Sequence, residues 1–157
     1  MNYPLWLHIA VGIVTFLAME SVAWLSHKYI MHGVLWIWHK DHHRKHGDSW
    51  FERNDLFFLA YAIVCISFFL AWRYSNLKLG LAIGVGIFCY GLTYFVVHDI
   101  FIHQRFKLLR NINNKYARAV RRAHKVHHKH LDKEHGECFG MLFVPFKYFT
   151  EKTKKHD

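Results

Sequence analysis

Two runs of uncharged, mostly apolar residues most strongly constrain what this chain can fold into. They are LFFLAYAIVCISFFLAW at 56–72 and LGLAIGVGIFCYGLTYFVV at 79–97. Each run is close to the roughly 20 residues that a membrane-spanning helix needs. A third run, 3–25, is similar apart from His8 and Glu20, and it is too long and too poor in N-terminal charge for a cleaved signal peptide. The pattern predicts an all-α integral membrane helical bundle, formed by a single domain over residues 1–157.

A fourth apolar piece, FGMLFVPFKYF at 139–149, is too short for a span and contains Pro145. We expect it to lie at the membrane interface or to re-enter the membrane. A fourth span that includes this piece remains the alternative, so the bundle is predicted to have three to four spans.

The placement of lysine and arginine predicts the topology. Only Arg73 and Lys78 lie between the second and third runs, whereas five such residues lie between the first and second, and many lie in the tail, 104–157. The positive-inside rule therefore puts the middle segment and the basic tail in the cytoplasm, and we expect a bacterial inner membrane. The net charge of +10 suits membrane lipid and an acidic protein partner, and we expect no nucleic acid to bind.

Histidine is the most unusual component, with 15 residues in 157. Ten of them fall in four boxes: HKYIMH at 27–32, HKDHH at 39–43, HDIFIH at 98–103 and HKVHH at 124–128. The order HX4H then HX2HH occurs twice, each time after an apolar run. This weak internal repeat suggests two half-sites that close on each other, within a histidine-rich helical cap on the cytoplasmic face.

Helical geometry supports convergence for two of the boxes and opposes it for the other two. The pattern from Lys115 to Lys129 predicts a helix capped by Asn111, Asn113 or Asn114, with the fourth-box histidines on one face. Histidines at i and i+5, as in the HX4H boxes, diverge by roughly 140° on a straight helix. They can reach one site only if they flank a cavity or if the helix breaks, and Gly33 is a candidate for such a break.

Convergent imidazoles indicate a metal centre, because neutral imidazole binds iron, copper, nickel and zinc. Ten rings exceed what one ion can use, so two ions with four to five nitrogens each are predicted. No Glu-x-x-His motif is present, which disfavours the carboxylate-bridged type of di-iron site. The predicted ligands are His27, His32, His39, His42, His43, His98, His103, His124, His127 and His128.

A redox-active metal pair that activates dioxygen fits this ligand set better than zinc chemistry, which needs three ligands and an open position. The sequence contains neither a cysteine cluster for iron–sulfur nor a dinucleotide loop, so electrons must come from another protein. We predict no catalytic side chain beyond the ligands. Candidates for residues that support the ligands are Glu20, Asp41, His46, Asp99, His130 and His135. Glu20, seven residues before His27, could accept a hydrogen bond from an imidazole or lie beside a substrate path.

The four boxes resemble those of the membrane fatty acid hydroxylase superfamily of histidine-rich di-iron enzymes. The segments that surround the boxes are similar to those of its carotenoid branch, the bacterial β-carotene 3-hydroxylases. These segments are WHKDHH, FERNDLF, YFVVHDIFIHQRF and RAHKVHHKHLDKEHGECFGMLF. The resemblance runs from about Glu20 to Phe146.

This resemblance implies O2-dependent hydroxylation of C3 of the β-ionone rings of carotenoids, which converts β-carotene to β-cryptoxanthin and then zeaxanthin. It also implies that the ten box histidines bind two non-haem iron ions, which zinc can replace on purification. Ferredoxin and ferredoxin reductase would supply the electrons, and the carotenoid substrate would arrive through the lipid.

Three alternatives stay open from the sequence. A hydroxylase or desaturase of a fatty acyl chain or a sterol would use the same boxes. A membrane protein that binds or transports metal without catalysis is disfavoured, because transporter ligands normally lie near the bilayer midplane and these lie at one face. A protein with bis-histidine haem would show a haem absorption band.

Overall fold

The computed structural model of the chain describes residues 3–44 and 50–150. Over these ranges the chain is all-helical and contains no strand, so the predicted all-α class is confirmed. The elements in chain order are α1 (Leu5–Leu25), π1 (Ser26–Val34), α2 (Trp36–His43), α3 (Asp55–Tyr74), α4 (Gly80–Phe95), π2 (Val96–Ile102), α5 (Lys115–Lys129) and α6 (Lys147–Thr150).

Three of the helical stretches are long and apolar enough to cross a membrane, as the sequence predicts: Leu5–Val34, Asp55–Tyr74 and Gly80–Ile102. Most of their apolar side chains point away from the protein. Val14 and Ile63, for example, are each 65% exposed. Apolar surface of this extent suits contact with lipid and would be unfavourable in water.

Helix α4 packs against both α1 and α3 through glycines. A Cβ at Gly80 would lie 2.7 Å from the Phe68 carbonyl oxygen, and one at Gly84 would lie 2.6 Å from the Phe69 ring, so both glycines face α3. Gly86 faces α1, where its missing Cβ would lie 2.6 Å from the Gly12 carbonyl oxygen. Small residues thus allow the backbones to approach closely, as expected for membrane helices.

The C-terminal part of the chain folds back on the helix ends. Helix α5 begins where the sequence predicts, and its N-cap is Asn114, whose side chain accepts a hydrogen bond from the Ala117 amide at 2.8 Å. After α5 an irregular segment, 130–146, crosses the histidine-rich end of the bundle; we call it the strap. Residues 139–146 form no helix, so the apolar piece at 139–149 is not a fourth spanning helix.

The approach of α4 to α1 predicts an effect of Gly86→Ala on stability. The added methyl group would meet backbone oxygen of α1, which cannot rotate away, so we expect a loss of about 1–3 kcal/mol. The measurement is thermal unfolding of the detergent-solubilised protein. Gly91→Ala is the matched control on the same helix, because a Cβ there has no atom within 4 Å; equal melting temperatures for the two variants would contradict the packing described.

Candidate metal centre

The first HX4H box lies in π1, and the second begins in π2 and ends at His103, the residue that follows π2. These π-helices resolve the divergence expected for a straight helix. A π-helix is bonded from i to i+5, which brings residues five apart onto one side. In π1 the Leu35 amide donates to the Ile30 carbonyl at 2.8 Å, and in π2 the His103 amide donates to the His98 carbonyl at 2.9 Å. As a result the ring centroids are 5.2 Å apart for His27 and His32 and 4.5 Å apart for His98 and His103.

The expected break at Gly33 is also observed. Gly33 has φ −109° and ψ −112°, which is not helical, and π1 ends one residue later. The chain then turns into α2, which carries the second box. The break therefore allows the first and second boxes to face each other from two short helices.

The HX2HH boxes lie on α2 and α5 and are turned inward. On α2, His39 is 2% exposed, and His42 and His43 are each 7% exposed. On α5, His124 and His127 are buried beside Val120, whereas Lys125 and Lys129 on the other side are exposed. The single histidine face predicted for α5 is confirmed.

Nine of the ten box histidines form two clusters in which one nitrogen from every ring lies within 4.8 Å of the others. Cluster I consists of His27, His32, His39, His43 and His127. Cluster II consists of His42, His98, His103 and His124. The closest pairs of rings all face each other through their Nε2 atoms. In cluster I the Nε2–Nε2 distances are 3.0 Å for His27–His39, 3.2 Å for His39–His43 and 3.3 Å for His32–His127. In cluster II they are 3.1 Å for His42–His98 and 2.8 Å for His103–His124.

His128, the tenth predicted ligand, is not a member of either cluster in the structure. Its ring stacks on His43 at 4.6 Å between centroids and lies 4.4 Å from His124 and 4.7 Å from His42. Its Nε2 is buried and has no hydrogen-bond partner among the described residues. An orphaned buried nitrogen beside cluster II is what a further ligand of that cluster would present before an ion is bound.

In cluster I, the Nδ1–H groups point outward and donate mainly to main-chain oxygen of the strap. His27 donates to the Phe139 carbonyl at 2.9 Å, and His127 donates to the Glu137 carbonyl at 2.9 Å. His32 faces the Lys133 carbonyl at 3.3 Å, and His39 donates to the side-chain oxygen of Asn54 at 2.6 Å. These bonds select the tautomer whose Nε2 lone pair points into the cluster.

In cluster II, the outward acceptors are carboxylates. His42 donates Nδ1–H to Glu52 at 2.8 Å, and His98 lies 3.2 Å from Asp99 through the same atom. Arg105 joins these carboxylates, since its guanidinium lies 3.1 Å from Glu52, 3.2 Å from Asp99 and 2.8 Å from Asp55. Asp99 was predicted to support a ligand, and in the structure it contacts His98 through this atom pair.

Burial and crowding favour the neutral form of the rings on α2 and α5. Burial lowers the pKa of His43, His127 and His128 to about 3, and neighbouring histidines lower it further. Burial, followed by the surrounding imidazoles, also holds the pKa of His42 and of His124 well below its usual range. Burial raises the pKa of Glu52, and the neighbouring guanidinium of Arg105 opposes that rise.

The residues present therefore fit the metal pair that the sequence predicts. The rings of α2 and α5 are held neutral by burial, the Nε2 atoms of nine rings converge, and the Nδ1–H groups of six of these rings have acceptors. Nitrogen-only ligand sets suit iron, copper, nickel and zinc, and exclude magnesium and calcium, which prefer oxygen.

Glu20 has a structural environment that the sequence did not reveal. One of its oxygens accepts hydrogen bonds from three successive amides of the strap, Met141, Leu142 and Phe143, at 2.9, 2.8 and 3.0 Å. The other accepts from the Tyr90 hydroxyl of α4 at 2.7 Å. Glu20 therefore fastens the strap, whose carbonyls orient cluster I, to two of the long helices.

The other predicted supporting residues have separate surroundings. Asp41 accepts a hydrogen bond from the Arg53 amide at 2.8 Å, which ties α2 to the loop before α3. His130 is the residue that follows α5, and His135 is exposed in the strap with φ 61°. His46 lies outside the described residues.

Sequence reasoning missed Asn54, Glu52 and Asp55 as parts of the site, and it missed Arg105. The first three belong to the segment FERNDLF, which was noted only for its resemblance to the carotenoid branch of the superfamily. The sequence did contain a signal for these residues. Acidic and amide side chains immediately precede the uncharged run 56–72, and the predicted topology puts that end of the span on the same side as the histidine boxes.

The chain belongs to the fatty acid hydroxylase family, whose model matches residues 12–149. This confirms the resemblance of the boxes. No solved structure shows significant similarity to the chain.

Curated relatives within this family carry names that refer to carotenoids. A β-carotene hydroxylase of Pantoea ananas is 39% identical over 143 residues, which cover 90% of this chain and 80% of the relative. A β-carotene hydroxylase of a Paracoccus species is 38% identical over 135 residues, which cover 85% and 82%. A chloroplastic β-carotene 3-hydroxylase of an Oncidium hybrid is 36% identical over 148 residues, which cover 91% of this chain and 46% of the relative.

The contacts of Glu20 predict that Glu20→Gln loosens the strap. The variant keeps one acceptor oxygen but loses the charge, and hydrogen bonds to charged groups contribute about 1.5–3 kcal/mol each. We expect a lower melting temperature and faster proteolytic cleavage within 130–146. Tyr90→Phe removes only the fourth bond and is the milder control, with an expected loss of about 1.5–3 kcal/mol from that single bond. An unchanged cleavage rate in Glu20→Gln would contradict the fastening role.

The lowered histidine pKa values predict that the metal-free protein loses stability in acid. In the unfolded chain His43, His127 and His128 titrate near 6.5, so they bind protons there before they do in the folded protein. The free energy of unfolding should therefore fall as pH drops below about 6.5 toward 3, by up to about 2 kcal/mol for each group at pH 5. Thermal unfolding of chelator-treated protein at pH 7 and pH 5 measures this, and equal melting temperatures would show that the rings are accessible to protons.

Proposed function

We propose that the chain is a non-haem di-iron hydroxylase that uses O2 to hydroxylate C3 of the β-ionone rings of β-carotene. Two supports are independent: the family and the names of its relatives, and the pair of buried histidine clusters. The observation that carries the proposal is the convergence of nine Nε2-oriented rings into two groups. In this proposal the chain works as one domain, and all ten box histidines are ligands, with His128 as the fifth ligand of cluster II.

The clusters would each hold one iron ion, which when bound supplies the oxidising chemistry that protein side chains lack. The chain's own residues orient the ligand rings and shield the site from water. The strap carbonyls and Asn54 fix the rings of cluster I, while Glu52 and Asp99 fix two rings of cluster II. Burial of the rings keeps bulk water away from the reacting position.

Substrate access follows from the exposed apolar surface of the long helices. A carotenoid has no polar handle, so it would diffuse in the lipid and reach the clusters at the ends of π1 and π2. The clusters lie at helix ends rather than at mid-helix, so in a bilayer they would be next to the interface. This position suits a ring that stays at the end of a long apolar molecule immersed in the bilayer.

The histidine face is proposed to be cytoplasmic in a bacterial inner membrane, on the positive-inside rule. Ferredoxin and its reductase are proposed as the electron source. The exposed cations of α5, Arg118, Lys125 and Lys129, would favour an acidic carrier protein through complementary charge.

A fatty acyl or sterol substrate is the second candidate. It is favoured by the family's description, which refers to fatty acids, and by the fact that the same clusters could serve any lipophilic substrate. The relatives' names favour the carotenoid.

Expression in a bacterium that accumulates β-carotene tests the proposal. We expect mono- and dihydroxylated carotenoid by chromatography with mass spectrometry, and loss of conversion in His39→Ala, because His39 lies in the centre of cluster I. His135→Asn is the matched control: this ring is exposed, and asparagine tolerates the positive φ.

Unchanged β-carotene, with the protein present in the membrane and a ferredoxin system supplied, would refute the carotenoid assignment. Fatty acids and sterols supplied to the same cells would then decide between the two candidates. Equal conversion by His39→Ala and wild type would refute the role of the clusters.

A further inference from the structure

The two clusters are built by nearly the same ligand pattern. Each takes both histidines of one HX4H box, which are His27 and His32 for cluster I and His98 and His103 for cluster II. Cluster I adds His39 and His43 of the second box and the middle histidine of the fourth. Cluster II adds His124 of the fourth box and the middle histidine of the second, and His128 flanks it. The internal repeat therefore corresponds to two similar half-sites: each HX4H box belongs to one cluster, and each HX2HH box contributes histidines to both clusters.

The hydrogen-bond acceptors behind these ligands do not follow the same relation. His27 and His98 are equivalent first histidines of the HX4H boxes, yet His27 donates to a peptide carbonyl and His98 to the Asp99 carboxylate. His127 and His42 are equivalent middle histidines, yet His127 donates to a peptide carbonyl and His42 to the Glu52 carboxylate. At both pairs, cluster I has a neutral acceptor and cluster II has an anionic one.

The remaining charges strengthen this difference. Glu52, Asp55 and Asp99 surround the single guanidinium of Arg105, so three carboxylates are opposed by one cation beside cluster II. The side chains of Glu52 and Asp99 are only 19% and 13% exposed, and partial burial weakens screening by solvent. His39 of cluster I has instead the neutral amide oxygen of Asn54 as its acceptor.

A carboxylate acceptor makes an imidazole a more basic ligand than a carbonyl does, and hydrogen bonds to ionised groups are roughly twice as strong as neutral ones. The geometry points to two inequivalent metal sites, in which cluster II holds its divalent ion more tightly than cluster I. This inference rests on the proposed function, because it takes two ions as given. It assigns to Glu52 and Asp99 the role of positioning residues that set the affinity of one site.

The experiment is anaerobic titration of the metal-free, full-length protein with iron(II), followed by competition with a chelator. We expect two ions per chain that dissociate in two resolved steps. Glu52→Gln and Asp99→Asn keep an acceptor oxygen and remove its charge, and each should weaken only the tighter step by about 10- to 100-fold. Mössbauer spectra of protein with one and two equivalents of 57Fe assign each step to a distinct iron environment.

Two further variants separate the ligand effect from a general loss of structure. Asp55→Asn removes a carboxylate that contacts Arg105 but is not an acceptor for either cluster II histidine described above, so it should weaken the tighter step by much less than Glu52→Gln or Asp99→Asn does. Asn54→Asp gives His39 a carboxylate acceptor and should tighten the weaker step, which a damaged fold cannot do.

The outcomes of the titration distinguish the inference from the function on which it rests. Fewer than two ions per chain in the wild type would overturn the proposed di-iron function. Two ions that dissociate in one step, or variants that weaken both steps equally, would overturn the inequivalence and leave the function standing.

Discussion

The histidine-rich end of this bundle is organised by nine imidazole rings, whose closest pairs face each other through Nε2 at 2.8–3.3 Å. Such proximity is tolerable only when the rings are neutral and when acceptors hold the rings in place, as they do for the Nδ1–H groups of six of the nine. Burial supplies the first condition, as the lowered pKa of His43 and His127 shows. The second condition requires a surrounding layer of oxygen atoms, and the chain builds that layer from the strap on one side and from the loop before α3 on the other.

The positions of the long helices were predictable because they depend on composition alone. The runs 56–72 and 79–97 differ from α3 and from the combined α4 and π2 by a few residues at their ends. The helix at 115–129 was predictable to its bounds, because a cap residue and a one-sided histidine pattern mark it. The change from α-helix to π-helix was not predictable. The spacing of His27 and His32 showed that a straight helix fails, but it could not distinguish a cavity or a break from an i to i+5 register.

The site was predictable to the extent that it consists of side chains with a recognisable pattern. Ten histidines were predicted as ligands from four boxes, and the structure brings nine of them into two clusters. Asp99 was predicted as a supporting residue because it adjoins a box histidine, and it contacts His98. The carbonyls of Lys133, Glu137 and Phe139 could not be identified, because every residue has a carbonyl and only the path of the strap makes these three relevant. Glu20 was predicted to accept a hydrogen bond from an imidazole or to lie beside a substrate path, but its partners in the structure include three amides about 120 residues away, which no local pattern reveals.

The difference between the clusters follows from the connections that leave the two HX2HH helices. The connection after α2 leads to Glu52, Asn54 and Asp55 at the start of α3, where acidic residues also favour the helix N-terminus, so side chains become the acceptors. The connection after α5 is the strap, which lies across the bundle end as irregular main chain, so carbonyls become the acceptors. A repeated ligand pattern placed in two different chain contexts therefore gives two chemically different surroundings, without any change in the ligands themselves.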